Sequence, residues 1–95
     1  MNGLIRLRTK RTNDYIPLMK VMVSTASEEP DIHTECIRMI FKVMEIAEKL
    51  DGYVQEIEDY PELELGENYV VGITLKFKKN LKMLEFVKSL KENLK

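Results

Sequence analysis

The sequence predicts an α+β domain, an antiparallel four-stranded sheet with two helices on one face in the order ββαββα. Three observations predict it. Apolar residues recur at every second position in three short stretches, they recur at helical spacing in two longer ones, and with residues 53–59 as a further strand the order is strand, strand, helix, strand, strand, helix. Ninety-five residues with 44% apolar and 33% charged side chains suffice for one such core and leave no room for a second, so residues 1–95 are expected to form a single domain.

Residues 4–10 set Ile5, Leu7 and Thr9 on one side and Arg6, Arg8 and Lys10 on the other, the period of a half-buried strand with a basic face. Residues 15–24 repeat the pattern through Met19, Val21 and Val23. Asn13-Asp14 between the two runs makes a hairpin of them, and Pro17 suits an edge or a strand start. A polar turn then leads into a helix over residues 31–50, with Asp31 as N-cap, Glu35 where the helix dipole favours an acid, and Gly52 able to take a left-handed C-terminal position. On a helical wheel its apolar residues, from Ile32 and Cys36 to Ala47 and Leu50, cover roughly 220°, whereas a helix lying on a sheet needs little more than ~100°. The surplus around Ile37, Met39, Phe41 and Ile46 must touch a second helix or another chain, which makes these four the expected interface of a homodimer.

Residues 53–59 read as a third strand and residues 61–68 as an acidic, turn-rich connection around Gly66. Residues 69–78 form a fourth strand whose inner face is Tyr69, Val71, Ile73, Leu75 and Phe77. Asn80 caps a last helix with Met83, Val87, Leu90 and Leu94 on one side. Moving the first strand to the end of this order gives the ferredoxin-like sequence of elements, so a permuted ferredoxin-like arrangement is one form the fold can take.

The net charge of −1 hides a strong pattern, since residues 1–27 carry +4, residues 28–67 carry −10 and residues 68–95 carry +5. Basic ends flanking an acidic middle predict an electrically two-sided surface. Arg6, Arg8 and Lys10 are the candidate basic surface, suited to a phosphate backbone or equally to protecting a sheet edge. Glu56, Glu58, Asp59, Glu62 and Glu64, with Glu67 at the end of the same acidic stretch, are the candidate acidic surface for a basic protein partner, with a solvated hairpin as the plain alternative. Sheet-based nucleic-acid binding also calls for exposed aromatics, and Tyr69 and Phe77 fall on the apolar side of their strand.

Cys36 sits about one turn into the first helix, where the dipole can favour a thiolate, and His33 shares its face three residues earlier. A Cys/His dyad is conceivable there; a small packed cysteine beside a helix-start histidine is the simpler account. The stretch Met22-Val23-Ser24-Thr25-Ala26, followed by Asp31-Ile32 and Cys36, resembles the strand, Gly-His-Ala turn and Asp-Ile-Val-Cys helix start of the ribosomal-processing cysteine proteases (Prp). That resemblance implies a shared order of elements and a nucleophilic role for Cys36. The family's general-base histidine would fall on or near Thr25, and the small residues after its cysteine are replaced by Ile37, Arg38 and Met39. The resemblance therefore speaks for a shared fold before a shared activity.

One cysteine and one histidine supply no metal-ligand spacing, and four isolated glycines supply no phosphate loop, so neither a metal nor a cofactor is expected. The longest apolar run is three residues and the N-terminus has no secretion signal, so the chain is expected to be cytoplasmic and off the membrane. The function expected is a non-enzymatic binding or regulatory domain, a homodimer that engages a macromolecule through its charged surface. A divergent Prp-like peptidase and a sheet-based nucleic-acid binder are the alternatives.

Overall fold

The computed structural model describes residues 4–59 and 63–93. Three runs of alternating side chains form β1 (Ile5–Arg11), β2 (Leu18–Thr25) and β4 (Tyr69–Lys76), β3 (Tyr53–Asp59) is a strand whose register shifts between Val54 and Glu56, and the two runs of helical period form α1 (Pro30–Lys49) and α2 (Asn80–Asn93). The sheet is antiparallel throughout with spatial order β1-β2-β4-β3, so β1 and β3 are its edges. With β1 moved to the end of the chain this is the strand order of a ferredoxin-like sheet.

Register decides which residues meet the helices. Met19, Val21 and Val23 lie beside Leu75, Ile73 and Val71, and Ile5 and Leu7 beside Thr25 and Val23, so one face of the sheet is apolar across three strands. Against it pack Cys36, Ile40, Val43 and Ala47 of α1, and Met83, Phe86 and Leu90 of α2, in one continuous core. Phe86 falls outside the expected face of α2 and is fully buried, with its ring centroid 5.0 Å from that of Phe77. Leu94, expected on that face, lies outside the described residues.

The ends of α1 differ from expectation for identifiable reasons. The helix begins at Pro30, whose fixed φ and missing N–H suit the first helical position, and Glu29 precedes it without a side-chain capping bond. Asp31 is therefore an acid in the first turn rather than the cap. At the other end Asp51, not Gly52, takes the left-handed conformation, with φ 61°, and the Gly52 N–H closes on the Ala47 carbonyl at 2.8 Å. Gly52 is needed for space: a Cβ there would stand 2.5 Å from the Phe77 ring. β2 starts later than its alternation suggests, because the Asn13 side-chain oxygen accepts the N–H groups of Tyr15 and Ile16 and holds the preceding residues in a turn. Among the described residues no helix is long and apolar enough to cross a membrane.

Candidate functional site

The helix start that positions Cys36 also disarms it. Cys36 lies on the same stripe of α1 as Ile40, Val43 and Ala47, the stripe that faces the sheet, and it is fully buried. Burial, reinforced by the nearby Glu35 carboxylate, pushes the thiol from 9.0 up to about 11, so the lowering expected from the helix dipole is overridden. His33 donates from Nε2 to the Ser27 carbonyl at 2.8 Å and stacks its ring on Tyr69, centroid to centroid 4.4 Å. Thr25, where the Prp-like pattern places a histidine, donates its hydroxyl to the Leu4 carbonyl at 2.6 Å and accepts the Ser27 N–H at 3.0 Å. All three side chains are bound into the turn between β2 and α1 or into the core beneath it. At neutral pH Cys36 should react with a soluble disulfide reagent about a hundredfold more slowly than a free cysteine, since its thiolate population is that much smaller. Reaction at the rate of a free cysteine would contradict this.

The helix-free face of the sheet carries the charge. Arg6, Arg8 and Lys10 of β1 share it with Lys20 and Met22 of β2, Thr74 and Lys76 of β4, and Tyr53, Glu56 and Glu58 of β3. Residues 63–68, turned by Gly66 at φ 88°, bring their acids back to the basic strand. The Arg8 guanidinium sits between Glu64, at 2.6 Å, and Glu67, at 3.0 Å to both carboxylate oxygens, while Arg6 reaches Glu64 at 3.5 Å. Lys20 meets Glu58 at 3.0 Å. The basic strand and the acidic segment thus meet on one face instead of making two separate sides. Glu67, expected only as one acid of a solvated stretch, is central to this cluster, with only 6% of its side chain exposed.

What remains unpaired is also ordered. Lys10 and Glu56 are exposed and make no hydrogen bond or ion pair among the described residues. A groove of about 570 Å³ runs along the β1–β2 end of this face, lined by Arg8, Lys10, Arg11, Lys20, Met22 and Glu64. The β2 and β4 strands at the centre of the sheet present no aromatic to this face, so the base-stacking platform of a sheet-type RNA binder is missing there. Glu62 lies outside the described residues, as does the side chain of Asp59. Among the described residues no group of three or more His, Cys, Asp or Glu is arranged to hold a metal ion.

The expected interface residues of α1 divide between its two flanks. Met39 and Ile46 pack against the core, whereas Ile37 and Phe41 are 40% and 58% exposed. The exposed pair shares the α1 flank of Met44 and Glu48, which borders β3 near Tyr53 and Val54. β3, an edge strand, adds Ile57, 56% exposed although its register partner Ile73 is buried. Ile57 was readable as the one apolar residue in the acidic run from Glu56 to Asp59, but only the register shows which face it takes.

The fold and this face together define a two-layer α+β domain with a charged open sheet. Compared with known proteins, the chain matches no family model and no curated protein.

Proposed function

We propose that the chain is a non-enzymatic binding domain that works as a homodimer and engages a macromolecular partner through the helix-free face of its sheet. The observation that carries this reading is the exposure of three large apolar side chains, Ile37 and Phe41 on one flank of α1 and Ile57 on the adjoining β3 edge. The buried, proton-holding Cys36 and the committed His33 favour binding over nucleophilic catalysis. Of the two signs on the open face, the groove beside Lys10, Arg11 and Lys20 suits an acidic segment of a partner, and Glu56 with Glu58 suits a basic one.

Phe41→Glu places a charge in the centre of the patch without touching the core. Light scattering should then report the mass of one chain at a concentration where the parent protein gives at least two. A mass identical in both proteins removes the patch from the mechanism.

A further inference from the structure

We propose that two copies of this domain join head to tail, the β3 edge of one against the β1 edge of the next, so that the sheet continues across the joint. This rests on the self-association argued above and adds its geometry.

The two edges are at opposite ends of one sheet, and among the described residues nothing outside the strand ladders hydrogen-bonds to the backbone of β1 or β3. Strand direction alternates at every step from β1 to β3, so a second copy in the same orientation presents its β1 antiparallel to the first copy's β3. Keeping the helices of both copies on one side then fixes the faces. Leu7 and its neighbours meet Val54 and Ile57 on the helix side, and Arg6, Arg8 and Lys10 meet Glu56 and Glu58 on the open side. Arg6 and Arg8 keep Glu64 and Glu67, and Glu58 keeps Lys20, so the charges left to meet across the joint are Lys10 and Glu56, which are of opposite sign. Joining like edges instead would set carboxylates against carboxylates, or cations against cations, which is unfavourable at facing positions.

Charges on edge strands normally keep sheets apart. Here the two edges carry different signs, so each repels its own kind and attracts the other. Lys10 and Glu56 are the unpaired charges, one on each edge, and the Arg6 side chain is 62% exposed despite its contact with Glu64. The apolar flank of Ile37, Phe41 and Ile57 borders the β3 edge, so the incoming copy covers it in the same step. A contact of this kind uses two different surfaces, and it leaves one edge of each kind open at the ends of the assembly.

The test is mass against concentration by sedimentation, at about 0.05 M and about 0.5 M salt. At low salt the mass should rise with concentration, and high salt should weaken it. Lys10→Glu and Glu56→Lys, both at exposed positions, should each raise the concentration of half-association about tenfold. The double variant K10E/E56K, and an equimolar mixture of the two single variants, should restore association, because opposite signs again face each other. Circular dichroism of each variant should match the parent. Association that Phe41→Glu breaks but Lys10→Glu leaves untouched overturns the head-to-tail joint while leaving the dimer standing. Losses that neither mixture nor double variant rescues overturn it also, and a single-chain mass at every concentration removes both the joint and the dimer.

Discussion

Phe77→Ala is expected to cost about 3–5 kcal/mol, a large part of the ~5–15 kcal/mol that holds a domain of this kind together. Phe77 is 1% exposed, follows β4, packs on Phe86, and anchors its N–H to the Pro17 carbonyl at 2.9 Å, so its removal opens a cavity where the sheet end, the hairpin loop and both helices converge. The same ring explains Gly52. Adding one methyl there drives it into Phe77, and Gly52→Ala alone should cost about 1–3 kcal/mol through overpacking. In the Phe77→Ala background the methyl enters vacated space, so the double variant should be more stable than the sum of the single effects predicts. Urea unfolding of the four proteins measures this. Additivity within ~0.5 kcal/mol would mean that Gly52 serves some purpose other than making room for the ring.

Glu67→Gln should destabilise the protein by about 2 kcal/mol at pH 7, the scale of hydrogen bonds to a charged group in a nearly closed site. Burial pulls the Glu67 carboxyl upward, but the Glu64 N–H and the Arg8 and Arg6 guanidinium groups beside it outweigh that and hold it below the ordinary range. A carboxyl lowered in the folded state binds protons more readily when unfolded. Its contribution is complete above the unfolded value, near pH ~4.3, and disappears as pH falls through the folded value. The gap between the parent protein and Glu67→Gln should therefore be constant from neutral pH to about 5 and close in stronger acid. Unfolding free energies of both proteins across that range provide the check, and a gap unchanged in acid would exclude the carboxylate charge as its source.

The order of elements and the inner faces of β2 and β4 are legible in the sequence because each rests on local periodicity. Tyr69, Val71, Ile73, Leu75 and Phe77 alternate without interruption, and all five are buried. Boundaries that depend on competing local rules are less legible. Pro30 at a first helical position outweighs an aspartate cap, and Asp51 accepts the left-handed turn because Gly52 is occupied with Phe77. The charged cluster could not be read at all. Arg8 and Glu67 are distant in the chain, each looks like a solvated surface residue, and only the return of residues 63–68 brings them together. The patch on α1 was half legible: the wide apolar arc showed that something was left uncovered, but which flank the neighbouring strands would occupy is a tertiary fact.

The strand order has a consequence for how the chain acquires its structure during synthesis. β1 and β2 emerge first and close a hairpin across a short loop, and α1 follows, yet β3 has no partner in the sheet until β4 is made, because β4 alone lies between it and β2. A nascent chain that ends before Tyr69 therefore holds a paired hairpin, a helix whose apolar stripe has β2 but not β4 to lie on, and an unattached third strand. The arrival of a single segment, Tyr69–Lys76, joins both halves of the sheet at once, and α2 then closes the core with Met83, Phe86 and Leu90, so the domain becomes a cooperative unit late.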